Sequence, residues 1–578
     1  MTRFNHITLL AAFLSTSLFS FADDLTKEIT IEKDIVPQER EASRLSQLPS
    51  LSLSAINVKK LNWTDRAVSA PITNAITVLS PVPYASSIER SPYRGYVSLG
   101  YFPTFQLGLS AGYRFIDDEV TRLGAWLQFD GSNYKRENIL GNKLSYRNNQ
   151  GKLGVDLDHT FDGIGKLSSS LGYSFASYNF PTLVDKGVSQ SVNNLNLDFG
   201  WKSSLGKFDY NIGLGYDFFA FGKSPIENSN LKSLNENSVN LDFDGLYNLS
   251  EKSAIGADFA LDFSRTGNQI DLESYNDDGS LTFVNASETV GFLRFVPRYE
   301  HRGGKHIFSV GAGIDYIRGD ENKVHFDGFL KYNWLPSSSF GAFVNVYSGN
   351  PQANSLTKRF ALDNYISPAY GYYPSYSNLG IDAGFIIGPF SGASFEVWGG
   401  VADVKNAYMP FVIDSDDYSY LYGLEGAWDF TSVHYGIAFN YKYSNIAKLR
   451  LSYEGTTDDD MDTGYVYWLD RAKNEFIASV TVTPISALDI DLSYKLRTGR
   501  KTNVITITDD LPSIFSDFSY ASVDLGSVKS LDLGASYRVN SQFSVWARVE
   551  NLLNAKWQQN YYVPCKGTTG LVGVSYKF

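Results

Sequence analysis

The stretch from Val549 to Phe578 reads VENLLNAKWQQNYYVPCKGTTGLVGVSYKF, and its final residues alternate. Val572, Val574, Tyr576 and Phe578 fall on one side of an extended strand, and Gly573, Ser575 and Lys577 on the other. That pattern suits either a half-buried strand of a soluble sheet or the wall of a transmembrane barrel. The preceding strands separate the two. Leu488, Ile490, Leu492, Tyr494 and Leu496 alternate with Asp489, Asp491, Ser493, Lys495 and Arg497. Leu531, Leu533, Ala535 and Tyr537 alternate with Asp532, Gly534, Ser536 and Arg538, and Phe543, Val545, Ala547 and Val549 with Ser544, Trp546, Arg548 and Glu550. Successive strands that put charge on one face predict a water-filled lumen, lined here by Asp489, Asp491, Lys495, Arg497, Arg538, Arg548 and Glu550.

The other end of the chain agrees with export. MTRFNHITLLAAFLSTSLFSFA, Met1 to Ala22, has a basic start at Arg3, an apolar run from Ile7 to about Phe21, and small residues before Asp23. It reads as a secretory signal cleaved after Ala22. No cysteine follows the run, and the only one in the chain, Cys565, excludes an internal disulfide and a zinc site built on cysteines. The rest of the chain has no apolar run near the ~20 residues that a spanning helix needs, and mean hydropathy is -0.20. Aromatic residues make up 15% of the chain and glycine contributes 49 residues, as in barrels with aromatic girdles. With 50 Lys+Arg against 62 Asp+Glu, the chain does not suit nucleic acid.

From about Arg94, short alternating runs are joined by alternately tight and long connections. Tight ones include DGIG (Asp162 to Gly165), SLGK (Ser204 to Lys207), LSEKS (Leu249 to Ser253), RGGK (Arg302 to Lys305), GPFSG (Gly388 to Gly392), PISA (Pro484 to Ala487) and VNSQ (Val539 to Gln542). Long ones lie near Tyr134 to Tyr146, Asn179 to Ser191, Gly222 to Glu236, Thr266 to Glu288, Asn350 to Asn378, Lys405 to Asp417, Thr456 to Ala472, Gly499 to Gly526 and Ala555 to Thr569. Tight periplasmic turns opposite long external loops are the habit of outer-membrane barrels, with both termini periplasmic. The runs number about 23, and single-chain barrels are even-stranded. Phase therefore places a turn after Trp428 and merges Val433 to Glu454 into one bulged strand, which leaves about 22. The expected fold is an all-β transmembrane antiparallel barrel with three regions: signal 1–22, a short periplasmic or lumenal segment 23–93, and barrel 94–578.

The closing residues resemble those of TonB-dependent outer-membrane receptors. Glu550, Asn551, Leu552, Leu553 and Asn554 match the run before the terminal strand, and Tyr576 and Phe578 its aromatic-x-Phe end. The resemblance implies a 22-stranded barrel in a Gram-negative outer membrane, with Tyr576 and Phe578 as the signal read by the barrel-assembly machinery. The glycine- and tyrosine-rich style looks like that of Bacteroidota receptors. The family's N-terminal plug has no counterpart in pattern here, since the residues up to Ser91 are rich in Ser, Pro and Leu. Within KEITIEKDIV, Glu28, Ile29, Thr30 and Ile31 stand where the family keeps its TonB box, a strand that pairs with a periplasmic partner by β-augmentation. A plain lead-in strand is the alternative.

Two functions follow. One is passage or uptake of a solute. The other is a structural barrel in an outer-membrane complex, its lumen filled by loops or by a partner. The acidic clusters Asp277 and Asp278, Asp414 and Asp416, and Asp458 and Asp460 offer hard oxygen ligands for Ca²⁺, although they lack EF-hand spacing and also suit solvated loops. No other cofactor is expected. NYISPAYGYYPSYS, within Asn350 to Asn378, is an aromatic surface suited to sugars, peptides or a partner protein, or to packing over the pore. His159, His301, His306, His325 and His434 fall in no catalytic spacing with Ser or Asp, so an enzyme is not expected.

Overall fold

The computed structural model describes residues 93–578 except 104, 139–140, 181–187, 224–231, 276–280, 320–321, 353–354, 363–373, 415–421, 459–471, 508–517 and 562. The expected signal and N-terminal segment, with Glu28 to Ile31, lie outside the described residues, as do Asp277, Asp278, Asp416 and Asp460.

Alternation along the chain is realised as one closed sheet. Its first strand, Gly95–Phe102, pairs with Gln106–Asp117 on one side and with the last strand, Thr569–Lys577, on the other, so the ladder has no edge. The sheet holds 24 strands; a hairpin, Lys501–Ile507 with Phe518–Asp524, is an excursion within one connection, and Leu488–Thr498 pairs directly with Val528–Arg538 beneath it. The barrel wall therefore has 22 antiparallel strands. Its two ends meet on the side of the tight turns, where Arg94 and Gly95 donate backbone N–H groups to the Phe578 carbonyl, both at 2.8 Å.

The two faces differ as the alternation requires. Leu127, Leu153, Leu171, Leu197 and Leu214 are each more than 40% exposed on the outer face, while Gly154, Gly172, Asn194 and Asn196 occupy the opposite one. Lipid covers the first set, and a charge there costs about 2–4 kcal/mol near the bilayer midplane. Leu171→Lys is expected to lose that much in urea titrations of the barrel refolded into vesicles, whereas Asn196→Lys, on the lumen face, loses less than about 1 kcal/mol. Equal losses would mean that the faces are misassigned.

The strand count agrees with the sequence reading, but one merger does not. Tyr422–Tyr443 is a single strand, with Phe430, Thr431 and Ser432 paired to Val404, Asp403 and Ala402, where the sequence suggested a turn after Trp428. The turn comes later, at Ser444 to Ile446, with Ser444 at φ 51° and Ile446 N–H bonded to the Tyr443 carbonyl at 3.1 Å. Ala447–Asp458 is then a separate strand. Asp429 to Ser432 has turn-like composition, yet a partner ladder on each side of Ser432 satisfies its backbone better than a turn would. The bulge belongs to the neighbouring strand Ala393–Asp414, at Asn406 with φ 57°.

Several expected loops are strand. Tyr134 pairs with Tyr146, and Ser253–Tyr275 and Leu281–Gly303 pair from the turn at Gly304 almost to the tip of their hairpin. At ~3.4 Å per residue, such 23-residue strands far exceed the ~9–11 residues that a bilayer takes, so these hairpins project beyond it. Two connections on the loop side are tight, between Phe102 and Gln106 and between Arg318 and Lys323.

Candidate functional site

Three long connections turn back over the inside of the wall on the loop side. The first carries the only helix among the described residues, Leu356–Leu362, which the sequence reading took as part of an aromatic loop. Ser355 begins it, its Oγ accepting the Lys358 N–H at 3.3 Å. Leu356 and Phe360, four apart, share one face and turn it to the wall. That wall belongs to distant strands: Phe360 lies 5.9 Å from the Tyr178 ring and 5.5 Å from Phe219, and Asn194 Nδ2 donates to Thr357 Oγ1 at 2.9 Å. The buried carboxylate of Glu236 receives the Leu356 N–H at 2.8 Å and the Ser238 hydroxyl at 3.2 Å. Lys358 Nζ reaches Asp262 at 3.4 Å.

The second connection holds the hairpin at 501–524, whose Asn503 to Thr506 backbone pairs in parallel with Phe411 to Asp414. Arg500, 1% exposed, ties this hairpin to the third connection. Its guanidinium donates to the carbonyls of Gly526 (3.3 Å), Gln558 (2.9 Å) and Gln559 (3.1 Å). The third connection is then fastened to strand Thr121–Glu137, where Arg136 Nε meets the Lys566 carbonyl at 2.7 Å and Tyr134 OH the Pro564 carbonyl at 3.2 Å. Burial pulls the Lys566 ammonium below its ordinary pKa, against the opposing pull of Glu550 and Asp130. Arg500→Ala removes the donor from three part-buried carbonyls, at about 1.5–3 kcal/mol for each hydrogen bond to the charged guanidinium. Its expected result is amide exchange at least tenfold faster in 501–507 and 558–560 with the barrel still folded; unchanged exchange would show that the hairpin holds itself in place.

Beneath the helix lies a cavity of about 400 Å³. Thr357, Phe360 and Ala361 form its roof, and its walls include Trp126, Asp156, Asn196, Asp198 and Asp217. Trp126 lies against Gly154, where a Cβ would come within 2.7 Å of the indole, and its N–H donates to Asp156 Oδ2 at 2.8 Å. Gly172 likewise makes room for the Asn196 amide, whose Nδ2 donates to Asp198 Oδ2 at 3.3 Å; Ser170 Oγ donates to the same oxygen at 3.2 Å.

The seven residues expected to line the lumen stand on the face opposite the exposed Leu492, Leu533, Tyr537 and Val545, but they do not converge. Asp489 pairs with Arg538 Nη1 at 3.2 Å and accepts from Thr483 at 2.7 Å near the turns; Asp491 accepts from Thr481 at 2.6 Å. Lys495 is half-buried further along the same strand. Nearer the loops, Arg497 pairs with Glu475, and Arg548 Nη2 with Glu550 at 2.8 Å. Asp489, Arg497, Arg538, Arg548 and Glu550 pair locally with opposite charges and Asp491 accepts from a hydroxyl, so together they form a polar wall. A denser network went unread in the sequence. Arg298 holds Asp244 (2.7 Å), Asp258 and Glu300 (3.0 Å), and Arg294 holds Asp327 at 2.6 Å beside the fully buried Asp315. Its signal was the alternation of Arg294, Arg298, Glu300 and Arg302 in LRFVPRYEHR.

His434, expected beside a turn, lies within a strand with Nε2 3.2 Å from Asp382. Among the described residues, no group of three or more His, Cys, Asp or Glu is placed to hold a metal ion. Asp414 and Asp458 end their strands next to undescribed residues.

No family model matches the chain, and no curated protein matches it. Solved structures do. The FrpB iron transporter of Neisseria meningitidis, F5-1 variant in apoprotein form, is 11% identical with a TM-score of 0.63 over 85% of this chain and 82% of that one. A mutant of the ferric enterobactin receptor PfeA of Pseudomonas aeruginosa is 9% identical with a TM-score of 0.61, covering 85% and 81%. The copper transporter OprC is 12% identical with a TM-score of 0.58, covering 85% and 82%. Likeness at these identities is one of fold: a large barrel of the outer-membrane receptor kind.

Proposed function

We propose that this barrel conducts uptake of a solute across a Gram-negative outer membrane, its tight turns and both barrel ends in the periplasm and its long hairpins outside. The observation that carries this reading is the cavity on the lumen wall, roofed by a helix from a connection that starts several strands away. A roof over a cavity at the loop-side mouth is the arrangement of an entry site, as lids cover the binding sites of enzymes. The barrel structures that resemble this one bear the names of transporters and receptors, which agrees with it and with a non-enzymatic role.

In this reading Asp489, Asp491, Lys495, Arg497, Arg538, Arg548 and Glu550 line the path, Tyr576 and Phe578 direct assembly, and Glu28, Ile29, Thr30 and Ile31 engage a TonB-like periplasmic partner. Ca²⁺ at Asp277, Asp278, Asp414, Asp416, Asp458 and Asp460 would order external hairpins. A Bacteroidota-like origin and a periplasmic or lumenal segment 23–93 complete the assignment. The inward-turned connections also suit the second reading, a scaffold with its lumen filled.

Planar-bilayer conductance decides between them. The mature protein, a form lacking residues 23–91, a form with 355–362 replaced by Gly-Ser linker, and the double deletion are compared. Uptake predicts small or no steps for the mature protein and large steps for the double deletion. If all four stay closed, the scaffold reading replaces it.

A further inference from the structure

We propose that the cavity under the helix Leu356–Leu362 binds a neutral sugar of two or three pyranose units. The assignment rests on the uptake reading and gives its substrate class. A volume of about 400 Å³ lies within the ~300–1,000 Å³ of small-molecule sites.

The wall is built to present groups inward. Two positions, Gly154 and Gly172, give up side chains so that the Trp126 indole and the Asn196 amide can lie where they do; a Cβ at either glycine would approach these groups closer than 3.0 Å. The indole N–H is held by Asp156, which fixes the ring plane. Phe360 adds a second aromatic face from the roof. Aromatic faces pack against the C–H faces of a pyranose as against any apolar surface.

Charge narrows the ligand further. Asp156, Asp198 and Asp217 line the cavity together with Lys152, an excess of negative charge that repels an anionic chelate such as a ferric catecholate. An amine would offer the Lys152 ammonium no acceptor, while Gln150 and Asn196 already donate within the wall, to Asn148 and Asp198. Hydroxyl groups donate and accept at once. A polyhydroxylated neutral ligand answers carboxylates, amides and an ammonium in one lining.

Isothermal titration of the full-length protein in detergent tests this with five probes: maltotriose, mannotriose, xylotriose, spermidine and the ferric tris-catecholate complex. At least one trisaccharide is expected to bind, and neither spermidine nor the ferric complex. Asn196→Ala and Trp126→Ala are each expected to weaken the binding about tenfold, and Trp126→Phe less, with heat-modifiable gel mobility confirming that every variant is folded. The proposal is overturned if no trisaccharide binds, if spermidine or the ferric complex binds instead, or if folded Asn196→Ala retains full affinity. Sugar binding with four closed conductance traces would keep the site and remove the uptake reading; an open double deletion with no sugar binding would do the reverse.

Discussion

Gly573→Val is expected to abolish the closed barrel. The seam between the first and last strands places Gly573 opposite Gly100, with Ser98 opposite Ser575 and their hydroxyls 2.7 Å apart. The Trp546 ring lies over both glycines, its Nε1–H shared between Ser98 Oγ at 3.2 Å and Ser575 Oγ at 3.1 Å. A Cβ at Gly573 would come closer than 3.0 Å both to that ring and to the Leu99 carbonyl of the facing strand. A ring can turn aside, but the carbonyl belongs to the ladder that closes the barrel, and an unclosed barrel exposes two strand edges to lipid. Gly100 differs, since the three atoms that its Cβ would approach most closely all belong to the Trp546 ring. The Gly100→Ala barrel should therefore be rescued by Trp546→Ala, and Gly573→Ala should not. Heat-modifiable mobility and trypsin resistance after refolding read all five variants. A Gly573→Val protein that folds with wild-type yield would show that the seam tolerates displacement and that Trp546 is not its keystone.

Glu236→Ala is expected to release the roof of the cavity. Glu236 is 2% exposed, and its carboxylate is the acceptor for the first helical N–H at Leu356. Removing it leaves that N–H without its acceptor, at about 1–3 kcal/mol for the buried group, while the Ser238 hydroxyl keeps Ser264 Oγ at 2.7 Å. The ties that remain include the Asn194 amide on Thr357, the Lys358–Asp262 pair, the buried Leu356 and Arg359 side chains, and the Phe360 contacts with Tyr178 and Phe219. Exposed ion pairs contribute little, so the helix then rests mainly on the packing of Leu356 and Phe360. Trypsin cleavage at Lys358 and Arg359 should rise at least tenfold in Glu236→Ala and about threefold or less in Glu236→Gln, whose amide oxygen still accepts from Leu356. Equal cleavage in wild type and Glu236→Ala would mean that apolar packing alone holds the helix, and that the cavity is closed permanently.

The limits of the sequence reading follow from the range of the interactions. Strand existence and facing rest on a period of two, so Leu492 with Asp491 or Val574 with Ser575 could be assigned from their neighbours alone. Parity supplied the even count. It could not place the turn, because Asp429 to Ser432 carries turn-like residues and only the ladders to Val404 on one side and Asp458 on the other hold it extended. Long connections were equally hard to read: Tyr134 to Tyr146 looks like a loop until Tyr134 and Tyr146 are seen stacked at 5.3 Å across a hairpin.

The sequence by itself determined that the chain forms a lipid-facing antiparallel barrel with a charged interior and both barrel ends on the side of the tight turns. Local alternation and turn chemistry carry that information, and each needs only a few adjacent residues. Tertiary structure alone decided that Leu356 would meet Glu236, 120 residues earlier, and that Thr357 would meet Asn194, 163 residues earlier. Such contacts depend on the curvature of a closed wall and on the reach of a connection across it, and no periodicity within either segment encodes the other's position.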